Sequence, residues 1–179
     1  MMQTDLSQFD FAVETLGPCQ VPSPLRLQEH QFVGDEERTL VSCGVSSLRG
    51  ADLEKIPSME TAGPRAKIFH PQYLTRAAIV TCGGLCPGLN SVIKGLVETL
   101  NQEYGVREIY GIPYGYAGLV NPKAHPPKML DADGVDTIHM EGGSILGTSR
   151  GSQRVEDMVQ SLVNMRVNML FTIGGDGTL

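Results

Sequence analysis

The sequence has no excess of positive charge. Fourteen lysines and arginines stand against twenty aspartates and glutamates, a net charge of −6. Without a basic run the chain is poorly equipped to neutralise many phosphates, which makes it a poor candidate for non-specific nucleic-acid binding. It has no stretch of about 18 consecutive apolar residues, so no membrane-spanning helix is expected. Met1 to Asp5 lack the basic-then-apolar order of a secretory signal, and the first arginine is Arg26, which argues against a transit peptide. Cysteine is scarce: Cys19, Cys43, Cys82 and Cys86 in 179 residues do not make a disulfide scaffold. Cys82 and Cys86 lie close together, but no second cysteine or histidine pair follows at zinc-ligand spacing. They read as reduced, partly buried thiols, and with the missing signals they point to the cytoplasm. Gly-Lys-Ser and Gly-Lys-Thr, the marks of the common phosphate loop, are also missing.

What is present is glycine. Sixteen of the 21 glycines lie after residue 75, in short clusters. The hydrophobic share of 41% suffices for an ordinary core, and the length fits one domain, two at most. Residues 1–75 carry six of the eleven prolines and little periodicity. Gly17 to Pro24 reads as an extended, turn-rich arm, and Thr39 to Cys43 as a short strand. This region is expected to be an extension packed on or beside a core, with disorder as the alternative.

From residue 76 the texture becomes strand, glycine loop, helix. Arg76 to Cys82 has the continuous apolar character of a buried strand. Leu89, Val92, Ile93, Leu96, Val97 and Leu100 then fall on one face of a helix. Arg107 to Tyr114 reads as a second strand, closed by the turn Tyr114-Gly115-Tyr116. A helix is expected near Asp131–Met140 and another over Gln153–Arg166, the latter with Val155, Met158, Val159, Leu162 and Val163 on one face. Asn168 to Ile173 completes the series as a buried strand. Alternation of this kind gives an α/β domain with a mostly parallel sheet, in which ligands bind beyond the carboxyl ends of the strands.

Three glycine loops fall at such ends. Gly83-Gly84-Leu85-Cys86-Pro87-Gly88 joins a strand to a helix start, where free N–H groups and the positive dipole end favour an anion. A tight strand-to-helix turn accounts for it equally well. Gly142 to Gly151 sets three hydroxyls and Arg150 among glycines, and a guanidinium presents a planar fork of donors that suits phosphate oxygens. Taken alone it also reads as a helix end with a solvated arginine. Gly174-Gly175-Asp176-Gly177-Thr178 places a carboxylate at a strand end, suited to Mg²⁺ beside phosphates, or simply to an aspartate turn. Together the loops supply the donor half of a phosphoryl-transfer site.

These same stretches carry a resemblance. Thr81 to Asn90, Gly142 to Gly151 and Ile173 to Thr178 resemble the phosphofructokinase family, and its long-chain branch in particular. Ala66 to His70 and Gly115 to Leu119 look like that branch too. The resemblance implies a Rossmann-like three-layer phosphofructokinase fold of the α/β class, with 66–179 as the start of the nucleotide-binding domain, incomplete, and 1–65 as an N-terminal extension. It implies ATP-dependent phosphorylation of fructose 6-phosphate to fructose 1,6-bisphosphate in glycolysis, with Mg²⁺, by a homo-oligomer when full length, and with no nucleic-acid or membrane partner. Carried over by motif, Gly84 lies against the donor phosphates, Arg150 and Gly151 line the donor site with Arg150 near the transferred group, Gly175, Gly177 and Thr178 cradle the phosphates, and Asp176 serves the metal. Pyrophosphate-dependent members commonly have aspartate where Gly177 stands; glycine leaves room for a nucleotide.

Two departures matter. Lys94 stands where short bacterial enzymes carry an effector-site arginine, so that regulation is not expected here. The family's Thr-Ile-Asp-Asn-Asp motif, which holds the general base, does not occur in residues 1–179. The polypeptide 1–179 alone is therefore expected to be inactive and prone to aggregate. The alternatives are a non-catalytic nucleotide-binding fragment and a pyrophosphate-dependent enzyme. NAD and lipid kinases share a Gly-Gly-Asp-Gly-Thr loop but lack the other two. A Rossmann dehydrogenase needs a Gly-x-Gly-x-x-Gly that is not here.

Overall fold

A computed structural model describes residues 9–50, 52 and 55–178. The chain divides into two compact units, residues 1–69 and 70–179.

The first unit is built from short pieces. β1 (Val21–Pro22) pairs antiparallel with β4 (Lys67–Ile68), and β2 (Arg38–Leu40) with β3 (Ser58–Glu60). Ser23 shows why the chain turns after β1. Its hydroxyl accepts from the Leu25 N–H at 3.3 Å and caps the single turn Pro24–Leu27, while its own N–H donates to the Ala66 carbonyl at 3.0 Å. Pro24 sits at the first position of that turn, where no N–H is needed. The Arg65 side chain straps the loops together, donating to the Gly34 carbonyl and, at 2.8 Å, to that of Thr61. A short helix, α1 (Val45–Leu48), follows β2. The strand expected over 39–43 is thus shorter and begins one residue earlier.

The second unit is a four-stranded sheet in the order β7-β6-β5-β8, comprising β5 (Arg76–Thr81), β6 (Glu108–Ile112), β7 (Lys128–Met129) and β8 (Met169–Ile173). β5 runs parallel to β6 and to β8, with Ile79 opposite Gly111 and Phe171; β7 is antiparallel to β6. β5 is central and buried on both faces, which is why it reads as a continuous apolar run rather than an alternating one. Ala77 and Ile79 pack on one side with Ile93, Val97 and Leu100. Ala78 and Val80 pack on the other with Leu119, Met158 and Leu162. Helices therefore cover both faces: α2 (Leu89–Glu98) and α4 (Ala132–Val135) on the first, α3 (Gly115–Val120) and α5 (Val155–Met165) on the second. This is the three-layer α/β arrangement.

Three local expectations are corrected. The helix near 131–140 is only the short α4, capped by the Asp131 carboxylate at 2.7 Å from the Gly134 N–H, followed by a separate turn at Ile138–Met140. Gly134 sits inside it, and glycine's flexibility shortens helices. The residues after Tyr114 form a helix, α3, not merely a turn. On α5 the packed face is Met158, Leu162 and Met165, while Val155, Val159 and Val163 are 62%, 51% and 61% exposed. The apolar positions on that helix span more than one stripe, and the longer side chains reach the sheet.

Candidate functional site

The three glycine loops converge at the carboxyl ends of β5 and β8. A cavity of about 380 Å³ opens there, lined from the first loop by Cys82, Gly83 and Gly84, from the second by Ser149 to Ser152, from the third by Gly175, Gly177 and Thr178, and from α3 by Tyr116. The lining has one charged side chain, Arg150, three aliphatic hydroxyls and no carboxylate. Such a surface attracts an anion.

Local hydrogen bonding holds the loops in register. The Cys82 N–H donates to the Ile173 carbonyl at 2.9 Å, and the Gly83 N–H to that of Ser149 at 3.0 Å. Thr81, fully buried at the end of β5, donates its hydroxyl to the Gly147 carbonyl at 2.6 Å. The Tyr116 hydroxyl donates to the Thr178 carbonyl at 2.6 Å, and the Thr178 N–H to that of Gly175 at 2.8 Å. Gly83 and Gly151 have φ of 81° and 97°, which a side chain rarely tolerates. A Cβ at Gly84 would come within 3.5 Å of Arg150 Nη2. The arginine therefore hangs over the first loop, at ordinary contact distance from where a side chain at residue 84 would begin. Among the described residues no ion pair or hydrogen bond engages the Arg150 guanidinium. An uncommitted guanidinium at the mouth of an acid-free cavity is available to a ligand.

Of the residues singled out from the sequence, Gly84, Arg150, Gly151, Gly175, Gly177 and Thr178 line this cavity; Asp176 does not. Asp176 stands exposed on the same loop. No group of three or more His, Cys, Asp or Glu is placed to hold a metal among the described residues. One carboxylate beside a phosphate site fits Mg²⁺, which takes one or two protein oxygens and fills its sphere with water and phosphate oxygens. Lys94 is engaged elsewhere. Its ammonium lies 3.0 Å from Asp136 Oδ1 and 3.5 Å from Glu98, and the hydrogen bond to Asp136 holds its pKa above the ordinary lysine value.

Cys82, Gly83, Tyr116, Ser149 and Ser152 also line the cavity and were not among the candidate site residues. The signal for Tyr116 was its place just beyond the second strand, where such sheets bind ligands. Burial pushes the Tyr116 phenol up, and the Cys82 thiol up as well, the latter partly offset by the Tyr116 N–H. Cys19, Cys43 and Cys86 are exposed, whereas Cys82 is buried. Alkylation by iodoacetamide at pH 8 is therefore expected to label the three exposed thiols at least about tenfold faster than Cys82, whose thiolate forms only at higher pH. Mass-spectrometric counting checks this; equal rates would contradict the burial.

A sequence model of the phosphofructokinase family matches residues 76–179. A Borreliella burgdorferi protein named ATP-dependent 6-phosphofructokinase is 42% identical over 174 residues, covering 94% of this chain and 39% of that protein. One of the same name from Entamoeba histolytica is 54% identical over 168 residues, covering 93% of this chain and 37% of that protein. The chain thus spans about two fifths of the length of these relatives. The crystal structure of Pichia pastoris phosphofructokinase in the T-state superposes with a TM-score of 0.52 at 28% identity, over 69% of this chain and 12% of that one.

Proposed function

Because the chain belongs to the phosphofructokinase family, we propose that the protein it forms part of transfers the terminal phosphoryl group of ATP to fructose 6-phosphate, giving fructose 1,6-bisphosphate. The 1–179 segment contributes the donor half of the site. The observation that carries this reading is the uncommitted Arg150, held over Gly84 in a cavity without carboxylates.

The roles follow from the chemistry of each group. Gly84, Gly175 and Gly177 admit the donor phosphates close to the backbone, and their N–H groups meet the oxygens. Arg150 neutralises charge on the group in transit, and Gly151 lets the chain turn beside it. The Thr178 hydroxyl and the loop around it cradle the phosphates. Asp176 is the residue that would hold Mg²⁺; when bound, the ion screens charge shared between neighbouring phosphates. The general base and the sugar site are expected outside residues 1–179. The 66–179 segment is read as the start of the nucleotide-binding domain and 1–65 as an extension. No helix is long and apolar enough to cross a membrane among the described residues, and a cytoplasmic, homo-oligomeric enzyme is the reading taken.

A coupled assay of the protein carrying this chain tests the proposal. Fructose-6-phosphate-dependent turnover is expected with MgATP and not with pyrophosphate; turnover with pyrophosphate alone would overturn the donor assignment. A Cβ at Gly177 would meet nothing within 4 Å, so Gly177→Asp should fold normally. The added carboxylate would face the donor phosphates and lower kcat/KM for ATP by about ten- to a hundredfold. An unchanged kcat/KM would show that the donor lies elsewhere.

A further inference from the structure

We infer that Asn90 is a positioning residue for Arg150, acting through the backbone of residues 141–149. The inference rests on the reading of Arg150 as the donor-site cation. Asn90 is in the first turn of α2 and 2% exposed. It is not among the residues that line the cavity, so it does not touch the donor directly. Its carboxamide is spent on the second loop: Oδ1 accepts from the Ile145 N–H at 2.9 Å, and Nδ2 donates to the Glu141 carbonyl at 3.1 Å. A carboxamide is the side chain that supplies one acceptor and one donor to a backbone segment at once.

The far end of the same loop is fastened by the strand that leads into α2. Thr81 donates to the Gly147 carbonyl and meets Ser144 Oγ at 3.0 Å, and the Gly83 N–H holds the Ser149 carbonyl. One continuous stretch, Thr81 to Asn90, thus grips the loop at 141 and 145 and again at 147 and 149. The guanidinium has no bond of its own among the described residues, so its place over Gly84 is inherited from the backbone that carries it. Thr81 is part of the central strand, and changing it disturbs the sheet. Asn90 directs both its bonds to the loop alone, which makes it the cleaner handle.

The test is a double-mutant cycle in the full-length protein, with wild type, Asn90→Ala, Arg150→Ala and the pair. The probe is the imido-bridged, non-hydrolysable ATP analogue with Mg²⁺, titrated calorimetrically, with amide hydrogen exchange recorded on each protein. Asn90→Ala should weaken binding about tenfold in the wild-type background, the scale of one or two lost buried hydrogen bonds. It should weaken binding less than about twofold once Arg150 is gone. Exchange at the amides of residues 145–150 should speed by about tenfold while residues 77–81 of β5 stay protected. Equal factors in both backgrounds, or unaltered exchange at 145–150, would overturn the inference. Asn90→Asp keeps the acceptor for Ile145 and loses the donor for Glu141, and it carries the same cycle should the alanine variant fail to fold. If wild type does not bind the analogue, the donor-site reading falls. The exchange arm then decides the fastening by itself: faster exchange at 145–150 upholds it, and no change refutes it.

Discussion

Replacing Arg150 with alanine is expected to lower kcat of the protein carrying this chain by about 10² to 10³ while leaving its stability within about 0.5 kcal/mol of wild type. Both halves of that expectation come from the same observation. The side chain is exposed and makes no hydrogen bond or ion pair among the described residues, so folding gains little from it. It also provides the cavity's one charged group, and a guanidinium aimed at a transferring phosphoryl group stabilises charge that develops in the transition state. Arg150→Lys keeps the charge and loses the planar fork, so kcat should fall by about tenfold or more. Steady-state kinetics beside thermal unfolding checks the pair. A large loss of stability with intact kcat would reverse the assignment.

The second large effect concerns two glycines that a propensity scale treats alike. Gly95 lies in α2 and Gly118 in α3. Alanine in place of an exposed helical glycine usually stabilises by about 0.5–1 kcal/mol. Gly95→Ala should follow that rule, since a Cβ there meets nothing within 4 Å. At Gly118 a Cβ would run into the Pro113 carbonyl oxygen, with the carbonyl carbon at 2.9 Å. The obstacle is backbone, which cannot rotate aside as a side chain can. Gly118→Ala is therefore expected to cost about 3 kcal/mol or more and to lower Tm by roughly 10 °C or more. Because α3 carries Tyr116 into the cavity, the loss should extend to ligand binding. Opposite signs for the two substitutions would support the packing described; equal signs would not.

These glycines also show what was legible in the sequence. β5, α2 and β8 were readable as elements, from a run buried on both faces, a 3.6-residue stripe and a second apolar run, but the expectation that β8 is buried is corrected: it is the edge strand of the sheet and none of Met169–Ile173 is buried. The loops between them were readable because glycine at a strand end marks close backbone approach. Six of the seven candidate site residues line one cavity. α3 was not readable as a helix. It is six residues long, contains Gly115 and Gly118, and is held by packing against the sheet rather than by propensity. Tyr114 just before it adopts φ of 57°, a left-handed conformation that nothing in its identity announces. The face of α5 was misjudged for a different reason. Valine and methionine count alike as apolar, but burial was decided by which side chains reach Val80 and Leu119 across the layer. Asp176 is exposed on the third loop and is not among the residues that line the cavity. The grip of Asn90 on residues 141 and 145 joins positions more than fifty apart, which no local pattern reveals.

The central claim is that three glycine loops, distant in sequence, bind one phosphate chain together. Amide hydrogen exchange of the full-length protein, with and without the MgATP analogue, tests it most directly. Exchange should slow at Gly83–Gly84, at Ser149–Gly151 and at Gly175–Thr178 together, over the same range of ligand concentration, with residues 21–68 unaffected. Protection confined to one loop, or binding with no protection at any of the three, would contradict the account.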